Sequence, residues 1–386
     1  MKKLNQINTF SLNLATTLAT LILVIFILWI SQSIVIPILF SIILAVLVYP
    51  LANRIEQLKI NRVLATTLSL AIAMAIISLI SYIIVIQAIE IADNASNITS
   101  KLKVLYQETI LWISSTLNIS QTELLDGIIH ELKEAISAIS SYAVIFFQSF
   151  SEVLSISVLI PIFSFFFLYY RNAFKLFLIK AFTLSPKEKV EETLSKMYDA
   201  LQNYMIGQLT VMFIIAILNT IGLYFLGIKF AWFFGILASL LMILPYIGIT
   251  IGSIFPAIFA LATLDSPYYA LGVVIWFLFV QFLEGNFITP YIVGSKIALN
   301  PLASMLAIII GGMLFGFAGF ILALPIAAIL KVLFDASPRT EAFGYILGDL
   351  EEDVEDNIAE IETEEIIIPL EEEQNDDEAE KLEIRS

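Results

Sequence analysis

Residues 64–87 read LATTLSLAIAMAIISLISYIIVIQ, and no charged side chain interrupts the run. A helix rises about 1.5 Å per residue, so a stretch of this length crosses the roughly 30 Å hydrocarbon core of a bilayer. Inside lipid, every backbone N–H and C=O must be bonded within its own segment, which leaves helices or a closed barrel. The run lacks the apolar–polar alternation of a membrane barrel strand. It is therefore read as a membrane-spanning helix.

The same pattern repeats in both directions. Upstream lie residues 14–31 and 34–50, parted by Ser31-Gln32-Ser33; Pro37 falls in the first turn of the second run and Pro50 marks its end. Proline is tolerated in a first turn, where its missing N–H has no partner to lose. Downstream, residues 153–170, 208–228 and 267–283 each suit one crossing. Two runs, 230–263 and 302–333, are too long for one ordinary span. The first is interrupted by Pro245-Tyr246-Ile247-Gly248 and Gly252, the second by Gly311, Gly312, Gly316 and Gly319, with Pro325 further on. Each is either an over-long, kinked crossing or a re-entrant hairpin whose turn sits at membrane depth against protein or a cavity. The fold class is all-α: a polytopic helical membrane protein with about eight apolar segments. These form either eight crossings or six full spans plus two re-entrant hairpins.

Composition agrees, with 14% charged residues and 29 Phe among 386 and a mean hydropathy of +0.92. A soluble protein of this length needs more charged surface. The chain has no cysteine, which excludes disulfides, Cys-ligated metals and thiol nucleophiles. The formal net charge of −15 belongs to residues 351–386, which hold 17 acids and 2 bases, while residues 1–350 hold 18 of each.

Charge also sets an expected topology. Lys2 and Lys3, the turn at 51–63 with Arg54, Lys59 and Arg62, and the stretch 171–200 are basic, whereas residues 88–151 carry 7 acids and 3 lysines. Basic loops stay in the cytoplasm. The expected organisation is three spans in 1–87, an extracytoplasmic helical insert in 88–151, and span 4 with its cytoplasmic exit in 152–183. A cytoplasmic amphipathic helix in 184–204, a membrane block with broken helices in 205–333, and a largely disordered acidic tail in 334–386 follow. Both termini are expected in the cytoplasm, and the first apolar run is expected to be retained as a helix, not removed as a signal peptide. Leu124, Leu125, Ile128, Ile129, Leu132, Ile136 and Ile139 mark an amphipathic helix in the insert. Ser185-Pro186 is the expected start of the 184–204 helix, with Leu194, Met197, Leu201 and Tyr204 as its stripe.

Candidate pathway residues are the polar groups beside apolar runs. Gln281, Glu284 and Asn286, followed by Pro290, Gly294 and Asn300-Pro301, form a polar seam. An acid at membrane depth needs a cavity or a partner, so Glu284 is either a site residue or a boundary acid in headgroup water. Pro245, Tyr246 and Gly248 either open backbone groups to a solute, as in broken transporter helices, or kink a helix for packing. Gln208 is a candidate pore residue. Gly311, Gly312, Gly316, Gly319, Pro290 and Pro325 are read as structural hinges, the glycines also permitting close helix contact. His130 stands without companions at ligand spacing, so no metal site is expected. Walker A, HExxH and GxSxG sequences are absent, and neither an enzyme activity nor a cofactor is expected.

Taken in order, Pro37, Pro50-Leu51, Arg54, Tyr204, Gly207-Gln208, Gly227, Pro245-Tyr246-Ile247-Gly248, Pro256, Glu284-Gly285-Asn286, Pro290, Gly294, Asn300-Pro301, Gly311-Gly312, Gly316, Gly319 and Pro325 resemble the signature blocks of a bacterial permease family. That family is the autoinducer-2 exporter-like (AI-2E) group. The resemblance covers most of 14–333 and stops before the acidic tail. It implies a multi-spanning permease of the bacterial inner membrane. Some members are associated with export of a small furanosyl signalling molecule, and others with sodium or lithium/proton antiport. Three readings follow: a secondary transporter of a small polar solute, a Na⁺(Li⁺)/H⁺ antiporter, or a membrane scaffold that binds a protein through the insert or tail. Scarcity of acids in the apolar blocks favours the first. The expected partners are a small polar solute or monovalent cation, the lipid bilayer and further copies of the chain; nucleic acid is not expected.

Overall fold

The computed structural model describes residues 2–93, 158–183, 185–243, 247–293 and 299–348, with isolated positions between 100 and 115. The insert helix with His130, Pro245-Tyr246, Gly294 and the tail beyond 348 lie outside the described residues. All regular structure among the described residues is helical. In chain order the helices are α1 (Lys2–Ile30), α2 (Gln32–Gln57), α3 (Arg62–Asp93), α4 (Leu159–Tyr169), α5 (Arg171–Ala181), α6 (Lys187–Phe225), α7 (Ala231–Leu241), α8 (Ile247–Thr263), α9 (Tyr268–Leu283), a π-helical turn (Glu284–Ile288), α10 (Thr289–Ile292), α11 (Pro301–Asp335) and α12 (Glu341–Leu347). By length and composition, α2, α3, α6, α9 with its continuation to Ile292, and α11 are candidates to cross a membrane, and α4 with α5 counts as one more if taken together.

Two helix boundaries differ from the sequence reading. The cytoplasmic helix expected over 184–204 and the span expected over 208–228 are one unbroken helix, α6, which begins at Lys187 with Pro186 as its N-cap. Leu201 and Tyr204 are buried on it. The polar stretch after Leu283 does not leave the helix at once either, because the π turn carries α9 on into α10.

Helices α2 and α4 meet through small polar residues. The fully buried hydroxyls of Ser41 and Ser164 sit at the crossing. Ser41 lies 3.0 Å from the Ile160 carbonyl and Ser164 lies 3.0 Å from that of Ser41. Such contacts replace the hydrophobic drive that is missing between helices in lipid.

The basic end of this bundle is clasped by charge. Arg171 donates two hydrogen bonds to the Glu56 carboxylate at 2.8 and 2.6 Å. Its guanidinium also lies 5.0 Å from the Tyr49 ring centre, and Tyr49 meets Tyr198 of α6 edge-on at 5.5 Å. Arg62 stands 3.7 Å from the same carboxylate. A two-pronged guanidinium–carboxylate pair fixes orientation as well as distance, so the clasp ties α2, α3 and the α4–α5 bend to α6. Glu56→Gln removes the charge and keeps the shape. It is expected to lower the stability of the detergent-solubilised protein by about 2 kcal/mol, the range for hydrogen bonds to charged groups, read from thermal unfolding.

Both over-long runs fold back on themselves. Run 230–263 divides into α7 and α8, neither long enough to cross alone. Gly248 abuts the backbone of Leu241, Gly252 abuts Ala238, and Phe234 meets Phe259 at 5.3 Å. One set of partners rises as the other falls, so the two helices are antiparallel. In run 302–333 the backbone reverses at Gly316 (φ 58°, ψ −136°). Those angles match the first central residue of a type II′ turn, where glycine carries no steric penalty. Gly311 then faces Gly319, and Gly312 faces Phe320. A straight helix would hold residues eight apart about 12 Å from each other, so α11 is a hairpin despite its 35 residues.

The feet of the second hairpin are latched together. The Asn300 side chain accepts from Ala303 N at 2.8 Å and donates to the carbonyls of Ile346 and Gly348 at 2.7 and 2.9 Å. Gly344 in turn abuts Asp335. The tip, with Leu314, Phe315 and Ala318, packs on Leu28, Val35, Ile36, Leu39 and Phe40 around the α1–α2 junction. This is the hairpin alternative of the sequence reading.

Candidate functional site

Helices α6 and α9 flank the α7–α8 hairpin, and a small space remains where its tip meets them. Its walls are Ile215 and Asn219 of α6, Ala238 of α7, Met242 just beyond α7, and Phe277, Val280, Gln281 and Glu284 of the α9 face. The cavity measures about 20 Å³, room for about one water molecule.

Close backbone approach builds this space. Gly235 lets α7 lie against Ala216 and Thr220 of α6. Gly222 receives the Trp276 indole, whose Nε1 donates to the Leu218 carbonyl at 3.2 Å and binds α9 to α6. Val211, Ile215 and Val280 pack beneath.

Glu284 is 9% exposed and opens the π turn. In an α-helix, residues five apart point in different directions; the wider π turn aligns them. Thr289 therefore donates its hydroxyl to Glu284 Oε1, and Gln281 Nε2 donates to Oε2 at 2.8 Å. Both donors come from the same helical segment and fix the orientation of the carboxylate.

Asn219 completes the set. It is 3% exposed, and its Oδ1 has no hydrogen-bond partner in the protein. An unpaired buried acceptor costs about 1–3 kcal/mol. Asn219 and Glu284 both line the small cavity, which places an amide and a carboxylate side chain in its wall.

Among the residues singled out in the sequence, the fold brings Gln281 and Glu284 to this cavity. Asn286 is exposed and donates to the Phe282 carbonyl of its own helix at 2.9 Å. Gln208 is half-buried eleven residues before Asn219, about 16 Å away along the helix. Gly248 is buried in the hairpin, close to its tip. Asn300 is spent on the latch of the second hairpin, Pro290 is exposed at the start of α10, and Pro325 is buried in α11. Among the described residues no group of three or more His, Cys, Asp or Glu could hold a metal ion. Asn219 was not among the sequence candidates. Its signal was an amide in the middle of the apolar run 208–228, a position where polar side chains mark pathways.

Comparison with known proteins follows the same outline. The family model described as AI-2E family transporter matches residues 18–339. A Haemophilus influenzae protein provisionally named as a transport protein is 26% identical over 352 residues, 89% of this chain and 99% of that one. YrrI of Bacillus subtilis, named in the same provisional way, is 37% identical over 135 residues, 35% of this chain and 38% of YrrI. The Escherichia coli K12 protein named AI-2 transport protein TqsA is 28% identical over 152 residues, 39% of this chain and 44% of TqsA.

Proposed function

The chain belongs to the AI-2E transporter family, and from that premise we propose that it is a secondary permease for a small, neutral, hydroxyl-bearing solute. The observation that carries this reading is the cavity lined by Asn219, whose Oδ1 lacks a partner in the protein, and by Glu284, whose carboxylate is held by Thr289 and Gln281. A hydroxyl donates to either group, and its own oxygen is small enough for the space. The solute of the TqsA name, AI-2, is one candidate of this class.

A one-water cavity holds no whole solute. In this reading the α7–α8 hairpin resting on α6 and α9 is the state that bars the solute. Transport requires the tip around Met242 to withdraw, which opens the acceptors to one side and then the other. Most of the contacts that tip would break are apolar, and Gly252 against Ala238 lets the two arms move as one body. The distribution of lysine and arginine supports a cytoplasmic position for the clasp side and for both termini.

Purified protein in sealed vesicles tests the reading. Efflux of labelled small polyols and furanosyl sugars is expected to exceed that from protein-free vesicles, and acidic solutes of equal size are expected to be excluded. Internal pH, followed with a dye under an imposed sodium gradient, is expected to stay flat. No flux for any neutral solute, with a sodium-dependent pH change, would replace this reading with cation exchange.

A further inference from the structure

Helix α5 is unlike every other helix here. It leaves α4 at 70°, and within eleven residues it carries Arg171, Lys175 and Lys180. Three cations exclude it from hydrocarbon, yet none of its residues is buried. Phe174 and Phe177 lie on one side and are 43% and 64% exposed, and Phe182 follows at 53%. The Phe174 ring meets that of Phe167 of α4 at 5.4 Å, tilted by 46°. Phe167 is itself half-buried against the α2–α4 cluster, so the contact holds the start of α5 close to the apolar span while Phe177 and Phe182 stay open beyond it.

The charges are arranged to match. Arg171 is committed to Glu56. Lys175 and Lys187 share one carboxylate, Glu191, at 3.6 and 3.9 Å, which leaves that trio one positive charge in excess. Lys180 adds another from the last turn of α5. A helix with apolar aromatic residues toward the acyl chains and lysines at headgroup level lies in the membrane interface.

We propose that α5 is an interfacial anchor that recruits anionic phospholipid to the basic end of the bundle. The lysines 175, 180 and 187 bind the headgroup phosphates while Phe174 and Phe177 enter the acyl boundary. The inference is independent of which solute is carried. It also gives the 70° bend a purpose: the Glu56–Arg171 clasp sets the angle at which α5 meets the surface.

The absence of cysteine makes the test direct. Phe177→Cys in the full chain is labelled with bimane and reconstituted into phosphatidylcholine vesicles with and without one quarter phosphatidylglycerol. Brominated acyl chains are expected to quench the label, and aqueous iodide is not. Energy transfer to headgroup-labelled phosphatidylglycerol is expected to exceed transfer to labelled phosphatidylcholine about fivefold, the worth of one lysine at an anionic surface. Lys175→Gln, Lys180→Gln and Lys187→Gln together are expected to abolish the difference without releasing the label from bromolipid. Quenching by iodide alone would take α5 off the membrane and overturn the proposal. Equal transfer to both lipids in the otherwise unaltered chain would do the same, as would self-quenching that ignores lipid composition, because it would put a second copy over the phenylalanines. A lipid preference that emerges only after deletion of 351–386 would assign the lysines to the acidic tail and equally overturn it.

Discussion

Glu284→Gln is expected to lower solute flux in reconstituted vesicles about tenfold, the worth of one hydrogen bond to a charged group, while the protein accumulates in wild-type amount. The substitution keeps the side-chain volume, and the Thr289 hydroxyl still has an oxygen to meet. It removes the charge that draws a donor into the cavity. Asn219→Leu should do comparable damage, because leucine keeps the branch at Cγ, in a bulkier form, and carries no acceptor. The two together distinguish a shared site from two unrelated defects. Groups that hold the same solute are coupled, so the double variant is expected to be little slower than either single one. A hundredfold loss in the double variant, the product of the two, would mean that Asn219 and Glu284 act on different steps. Unaltered flux in Glu284→Gln would remove the carboxylate from the pathway.

The membrane fold was legible because hydrocarbon thickness is a length rule. A run such as 64–87 satisfies it whatever its neighbours do. The fate of the two long runs was not legible in the same way. About thirty apolar residues suit one tilted crossing or two short helices equally well, and hydropathy is blind to the difference. The choice lies in backbone geometry at Gly316 and in the facing of Gly311 with Gly319. The glycine spacing was visible, but its meaning depends on the turn between. The join inside α6 was hidden for a related reason: residues 204–208 change from polar to apolar surroundings, and a change of solvent does not end a helix. Gly207 there lies against Val293 and stays helical. Glu284 was legible as a lone acid after an apolar run, whereas Asn219 vanished into a hydropathy average dominated by isoleucine and leucine. The sequence reading put Asn300 in the passage. Its bonds to Ala303, Ile346 and Gly348 give it a holding role, spelled by asparagine before a proline at the first helical position.

The hairpin geometry itself makes the other large prediction. A Cβ on Gly319 would overlap the carbonyl oxygen of Gly311, and a Cβ on Gly248 would overlap that of Leu241. Backbone cannot swing aside as a side chain can. Gly319→Ala is therefore expected to part the arms of the second hairpin and destabilise the protein by about 3 kcal/mol, the upper part of the overpacking range. The resulting protein should be recovered in poor yield, with a lowered thermal midpoint. Gly316→Ala meets no atom within 4 Å but must hold φ at 58°, which costs about 1–3 kcal/mol. At Gly312 the obstacle is the Phe320 ring at 2.6 Å, which can turn, so the effect there is smaller. Gly285→Ala finds open space and should fall within about 0.5 kcal/mol of wild type. The order Gly319, Gly316, Gly312, Gly285 belongs to a folded-back chain. A single helix through 302–333 would leave residues 311 and 319 far apart, and alanine, the better helix former, would then stabilise at 319 as well as at 312. A rise in thermal midpoint for Gly319→Ala would thus straighten the hairpin into a crossing.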